Sequence, residues 1–375
     1  MSTTSKLFST TRLGCHELPH RIVMAPMTRA RSTQPGDIPN ALNARYYAQR
    51  ASAALIVSEA TQITPQGKGY SFTPGIYSAE QIAGWKQVTQ AVHDAHGRIF
   101  LQLWHVGRMS HPDFHDGELP VAPSAVPFDG SIWKVDPATG IGAMVPSPTP
   151  RALSHDEIKA IVDDFRQAAR NAIEAGFDGV EVHGANGYLV DQFLRTTSNV
   201  RTDEYGGSRE NRLRFLKEVI DAIVDEVGAE RTAIRLAPFL TARGMGCPDI
   251  LPTILEASEY LQARDIAYLH LVEADWDDAP QFTEQFRQDI RQRFHNSIIV
   301  AGKYDKARAE WVLAKGYADL VAFGRPFVAN PDLPHRLAEG LPLADFDGGS
   351  LFGGTEQGYT DYPVWSATHQ AVSPA

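Results

Sequence analysis

Short apolar runs alternate along this chain with longer stretches whose apolar positions recur at helical spacing. The runs lie at residues 21–26, 53–59, 98–103, 180–183, 231–236, 266–271, 297–302 and 318–324. Their near-continuous Val, Ile, Leu and Ala content predicts parallel strands buried on both faces. Between them the pattern predicts helices at residues 43–50, 208–227, 251–263, 282–294, 305–315 and 333–339. Two more are better marked. Ile82, Trp85, Val88 and Val92 share one face of a helix capped by Ser78, and Ser154 with Glu157 forms a capping box before Ile158, Ile161, Val162 and Phe165. A strand followed each time by a helix gives an α/β chain with a parallel sheet. Eight such units favour a closed (β/α)8 TIM barrel over an open doubly wound sheet. A dinucleotide fold would also need G-x-G-x-x-G after its first strand, where this chain has Ala25-Pro26-Met27.

The rhythm breaks at residues 107–150, which are rich in Pro, Gly, His and Asp. A segment of that length is expected to be a lid or small subdomain, inserted between the third strand and the third helix of a single domain spanning residues 1–375. The stretch 7–19 is short and broken, with no assigned element.

Composition changes little in this picture. The formal net charge of −10 argues against nucleic acid or an anionic membrane as partner. Cys15 and Cys247 sit in no disulfide or metal-ligand pattern, so no metal site is expected. The first residues lack the apolar core of a signal peptide, and no apolar run reaches the length of a membrane span. The expectation is a cytoplasmic protein acting on a small molecule, as a monomer or weak homodimer.

Candidate chemistry gathers where the strands of such a barrel end, because their C-terminal ends converge on one mouth. The fourth run delivers His183, Asn186 and Tyr188 within a glycine-containing loop. Each has an ordinary structural use, as core histidine, turn asparagine and packed tyrosine, so the other strand ends must decide. Those ends offer Thr28, Glu59-Ala60, Gln102, Trp104, Arg235, Gly302-Lys303 and Gly324-Arg325. The set contains no close carboxylate pair, no Ser-His-Asp constellation and no cluster of metal ligands, which disfavours glycoside, acyl-transfer and metal-assisted chemistry. It does contain hydrogen-bonding groups suited to a planar heterocycle, and two glycine turns with adjacent positive charge suited to a phosphate. Arg235 alternates into an apolar strand, where an unpaired cation would be costly to bury.

Taken together, these segments resemble the Old Yellow Enzyme family of FMN-dependent ene-reductases. The resemblance rests on residues 21–29, on Leu101-Gln102-Leu103-Trp104-His105-Val106-Gly107-Arg108 and on His183-Gly184-Ala185-Asn186-Gly187-Tyr188-Leu189. It continues through residues 191–194 and 199–208, Ala322-Phe323-Gly324-Arg325-Pro326 and residues 358–363. It implies bound FMN, with NADPH or NADH as electron donor and an activated alkene as acceptor. Pro26, Met27 and Thr28 match the segment lining the flavin, and Ala60 and Gln102 match contacts to its pyrimidine edge. Arg235 matches the cation beside N1 and O2, and Gly302, Lys303, Gly324 and Arg325 match the phosphate pocket. His183 and Asn186 match the pair that holds a substrate carbonyl oxygen, and Tyr188 matches the proton donor. Trp104, Tyr70 and Phe352 match pocket walls. Relatives often carry two aromatics where this chain has Leu351-Phe352, a departure that bears on substrate size and shape.

The resemblance predicts reduction of the C=C bond of α,β-unsaturated carbonyl compounds, maleimides or nitroalkenes. Nitro-group or nitrate-ester reduction needs the same reduced flavin and stands as an alternative task. A flavin-binding or ligand-sensing barrel without turnover is the alternative from another class.

Overall fold

The computed structural model describes residues 5–136, 138–273 and 281–366. Its centre is a closed barrel of parallel strands: β1 Ile22–Met24, β2 Leu55–Val57, β3 Ile99–Trp104, β4 Gly179–Gly184, β5 Thr232–Leu236, β6 Tyr268–Val272, β7 Ser297–Ala301 and β8 Leu320–Phe323. Each strand pairs with the next, and β8 pairs with β1 to close the ring. The expected (β/α)8 architecture is therefore the observed one.

Alternation along the strands divides the core in two. Val180 and Val182 of β4 pack outward with Ile161 and Phe165 of the helix layer. Val23, Leu55, Phe100, Ala233, Tyr268, Ile299 and Leu320 fill the barrel interior. Residues 11–18, left without an element by the sequence pattern, form an antiparallel hairpin in which Thr11 pairs with Leu18. Its Leu13 and Leu18 join the interior cluster, so the hairpin closes the N-terminal end of the barrel.

The helices are α1 Ala41–Ala48, α2 Ala79–Asp94, α3 His155–Glu174, α4 Leu189–Leu194, α5 Arg209–Val227, α6 Ile250–Ala263, α7 Glu284–Arg293, α8 Lys306–Ala314, α9 Arg325–Ala329 and α10 Leu333–Glu339. Capping sets their starts. Asn40 caps α1 ahead of the expected start at residue 43, and Thr283 caps α7 just after residue 282. Ser78 pairs with Gln81, and Ser154 with Glu157, in full capping boxes. Helix α4 is an addition. It is too short for a periodic signal, and all of its side chains are buried.

The excursion at residues 107–150 is not featureless. Ser131–Val135 and Gly142–Pro146 form an antiparallel hairpin, and Val121–Ala122 pairs with Arg151–Ala152. Phe128 and Ile132 pack in one cluster with Trp104, Val106, Met109 and Tyr188, which carries the excursion onto the barrel mouth. Among the described residues, no helix is long and apolar enough to cross a membrane.

Candidate active site

At the C-terminal end of the barrel lies a cavity of about 390 Å³, within the usual range for small-molecule sites. Pro26, Met27, Thr28, Ala60, Gln102, Trp104, His183, Asn186, Tyr188, Arg235, Gly302, Lys303, Gly324, Arg325 and Phe352 all line it. Tyr70 does not. It stands behind that wall, its ring stacked on Trp104 at 5.5 Å and its hydroxyl 3.4 Å from that of Tyr188.

The segment after β1 is drawn into place by a buried carboxylate. Glu59, at the end of β2, accepts from the backbone N–H groups of Arg29 and Ala30, each at 3.1 Å, and from the Tyr47 hydroxyl. Two backbone donors held by one buried acid fix the course of the chain just past Pro26, Met27 and Thr28. Burial pushes the Glu59 carboxyl above its ordinary range, against the pull of those N–H groups and of Arg29.

The His183–Tyr188 loop is braced from below by α4. Gln192 donates to the carbonyls of Gly187 at 2.7 Å and Val106 at 3.1 Å, and its oxygen accepts from the Arg108 N–H. Asp191 accepts from the Gly187 N–H at 3.0 Å and from buried Arg195 at 2.6 Å. Arg195 in turn donates to the carbonyls of Ala237, Leu240 and Met245, tying the loop after β5 to the loop after β4. Within the braced loop Asn186 and Gly187 both adopt positive φ, at 59° and 81°. Asparagine and glycine tolerate that conformation best, which explains the residue choice at this turn.

His183 is buried, and its pKa lies well below the ordinary value, first because of burial and then because of Arg235, His270 and Arg243. The ring is therefore neutral near pH 7. Its Nδ1 accepts from the Ala185 N–H at 3.4 Å, which assigns the remaining proton to Nε2 as a donor. The Tyr188 ring stands edge-on to Trp104 and His183, with centroids 5.0 and 4.8 Å away. Asn186 Oδ1 and Trp104 Nε1 are buried without a hydrogen-bond partner among the described residues.

Beneath these groups lies a polar layer that sequence reasoning missed. Gln102 lies opposite Glu181 across the β3–β4 ladder, and Arg235 lies opposite both His183 and His270. The Glu181 carboxylate accepts from Gln102 Nε2 at 2.7 Å, from His270 Nδ1 at 2.8 Å and from the Tyr268 hydroxyl at 3.0 Å. Burial alone would raise its pKa, but the polarising neighbours His270, Arg235 and Gln102 bring it below the ordinary value, so it is ionised. His270 is pushed down by burial and donates as a neutral ring. An acid and an imidazole alternating into apolar strand runs were the available signal for this layer.

Five cationic side chains reach the cavity. Arg29, Arg235, Arg243, Lys303 and Arg325 line it, with no Asp or Glu among the described lining residues. Lys303 and Arg325 mark the ends of β7 and β8. There Gly302 and Lys303 take positive φ of 132° and 50°, and Arg308 holds the Gly302 carbonyl at 2.8 Å. An elongated anion with a planar polar head fits this distribution. Phosphate would meet the cations at β7 and β8, and a ring would lie over Gln102 and Arg235. FMN meets that description. The one described grouping able to collect a metal ion, His155, Asp203 and Glu204, lies away from the cavity, and Asp203 is already paired with Arg201.

Comparison with known proteins agrees with the geometry. Residues 6–344 match the NADH:flavin oxidoreductase / NADH oxidase family. The chain is 46% identical to 12-oxophytodienoate reductase 1 of Oryza sativa subsp. japonica, over 94% of this chain and 91% of the relative. It is 42% identical to a flavin oxidoreductase of Emericella nidulans, over 97% and 98%. Among solved structures it is similar to morphinone reductase in complex with tetrahydroNAD, at 48% identity and a TM-score of 0.93, covering 98% of this chain and all of that one. It is also similar to the old yellow enzyme homologue from Zymomonas mobilis, at 42% identity and a TM-score of 0.91, covering 96% and 100%. With the barrel, the cationic cavity and a family match over nearly its whole length, this chain belongs to the Old Yellow Enzyme family of FMN-dependent NADH:flavin oxidoreductases.

Proposed function

We propose that this protein binds FMN in the barrel mouth and reduces the activated C=C bond of α,β-unsaturated carbonyl compounds, maleimides and nitroalkenes, with NADPH or NADH as electron donor. The observation that carries this reading is the grouping of His183, Asn186 and Tyr188 on one wall of a cavity whose charged lining residues, among those described, are cations. When bound, FMN supplies the hydride, which reaches the β-carbon of the acceptor.

The protein's own groups do the rest. His183 Nε2–H and the Asn186 side-chain amide donate hydrogen bonds to the acceptor's carbonyl oxygen. Because His183 is already neutral and fixed as an Nε2 donor, it meets the charge growing on that oxygen without reorganising. The polarised carbonyl leaves the β-carbon electron-poor. Tyr188 then gives its hydroxyl proton to the α-carbon, where a phenol suffices against a strongly basic enolate. Gln102, Ala60 and the Pro26–Met27–Thr28 segment hold the ring of the cofactor. Arg235 would offset negative charge developing on the bound flavin ring, and Gly302, Lys303, Gly324 and Arg325 would hold the phosphate. Trp104 and Phe352 limit how the acceptor can lie, with Tyr70 backing Trp104. The excursion at residues 107–150 serves as a lid that excludes water.

The test is direct. The purified protein should be yellow. Adding cyclohexenone anaerobically after reduction by nicotinamide should restore the oxidised flavin spectrum. A colourless protein that takes up no FMN would sink the reading.

A further inference from the structure

Behind the turn that ends β7 stands an acid that the roles above do not use. Glu273, the residue after β6, is buried and is not among the residues lining the cavity. Its backbone N–H donates to the Ala301 carbonyl at 2.8 Å, so the barrel itself fixes where this side chain begins. The carboxylate gathers donors from three segments. Arg287 of α7 donates to both of its oxygens, at 2.9 and 2.6 Å, and Arg308 of α8 donates at 2.7 Å. The Tyr304 hydroxyl, from the loop after β7, donates as well.

What this hub holds is a stretch of the cavity wall. From the carboxylate, Arg308 reaches across to the Gly302 carbonyl at 2.8 Å and the Lys303 carbonyl at 3.4 Å. Its guanidinium also lies over the Tyr304 ring, 4.2 Å from the centroid. Gly302, Lys303 and Tyr304 all line the cavity. Lys303 sits at φ of 50°, a conformation that a lysine keeps only where its surroundings impose it. One guanidinium gripping two successive carbonyls supplies that constraint, and Glu273 aims the guanidinium. Without the acid, Arg308 would keep its charge and lose its direction.

We propose that Glu273 is a positioning residue for the cofactor phosphate, acting through Arg308 on the Gly302–Lys303 turn. The proposal rests on the FMN reading and on its phosphate lying at the ends of β7 and β8. It makes a prediction of unusual sign. By charge alone, an acid near an anion opposes its binding, so removing the acid should tighten the phosphate. By position, removing it lets the turn relax and weakens the phosphate.

The experiment titrates FMN and riboflavin against full-length protein stripped of cofactor, following the quenching of flavin fluorescence. The readout is the dissociation constant of riboflavin over that of FMN, a ratio that isolates the phosphate from the ring. Wild type should favour FMN. Glu273→Gln and Arg308→Met should each lower the ratio by about tenfold, the loss expected for one hydrogen bond to a charged group. Riboflavin affinity should stay near that of wild type. The two variants change the local charge in opposite directions, so a shared loss points to position. Ratios that move in opposite directions, with Glu273→Gln binding FMN more tightly, would overturn the proposal, as would equal weakening of both flavins. Should Glu273→Gln not fold, Glu273→Asp takes its place. It keeps the charge and withdraws it by one methylene, so a lowered ratio supports the proposal and an unchanged one refutes it. A wild type with no preference for FMN defeats the phosphate placement itself, whereas a preference kept by wild type and variants alike defeats only the role of Glu273.

Discussion

Removing the Glu181 carboxylate tests the buried layer beneath the cavity. Three donors converge on it, from Gln102, His270 and Tyr268, and none has another recorded acceptor. Glu181→Ala orphans all three in a fully buried place. Each unsatisfied donor costs about 1–3 kcal/mol, so the sum is on the order of 3–6 kcal/mol with each taken in the lower half of that range. Glu181→Gln should be milder, about 1–3 kcal/mol. Its oxygen still accepts from Gln102, and His270 can turn acceptor at Nδ1 by moving its proton to Nε2, which has no partner. The pH dependence follows from the depressed folded pKa. That stabilisation is fully present above the unfolded value of 4.5 and is lost as pH falls through the folded pKa. The gap between wild type and Glu181→Gln should therefore hold constant above about pH 4.5 and close below it. Urea unfolding of FMN-stripped protein followed by circular dichroism measures this without a contribution from cofactor affinity. A loss below about 1.5 kcal/mol for Glu181→Ala would mean that the donors find other partners and that the layer does not hold Gln102.

Other outcomes are equally specific. Tyr188→Phe should slow alkene turnover by about 10²-fold or more while leaving flavin reduction by nicotinamide nearly intact, as read by stopped-flow of the two half-reactions; equal slowing of both would refute its role as proton donor. His183→Ala should weaken binding of phenolic ligands, read by titration of the bound-flavin spectrum, and unchanged affinity would refute its role in holding the oxygen. Gly107→Ala should lower kcat and destabilise the protein by about 2 kcal/mol. The residue has φ of 61°, and an added Cβ would lie 2.3 Å from Gln192 Oε1, displacing the side chain that braces Gly187; wild-type kcat in that variant would show that the brace is dispensable.

The barrel was legible because its strands are buried on both faces and its helices are strongly capped, so apolar runs and capping residues mark nearly every element. The hairpin at residues 11–18 was not legible. Its strands are three residues each, and its apolar content matters only once the barrel supplies a floor to plug. Helix α4 hid for a related reason, being too short to show a period. The cavity residues were read from strand-end position and family resemblance, and all but Tyr70 line one space. Glu181, His270, Asp191 and Arg195 escaped because their meaning lies in one another. Each is an isolated charge in its own segment and becomes interpretable only when the strands and α4 bring the partners together. Arg243 escaped because the loop after β5 carries no pattern, and only the fold brings its side chain to the Asn186 carbonyl and the cavity wall.

The packed interior of the barrel has a kinetic consequence. With Val23, Leu55, Phe100 and Tyr268 filling the space between the mouth and the hairpin, no route crosses the barrel, and ligands reach the described cavity only from the C-terminal side. Under the proposed function, the electron donor and the acceptor share that cavity, and each vacates it before the other enters. Initial rates at several fixed donor concentrations should therefore give parallel double-reciprocal lines. Each reactant in excess should also inhibit by occupying the form of the enzyme meant for the other.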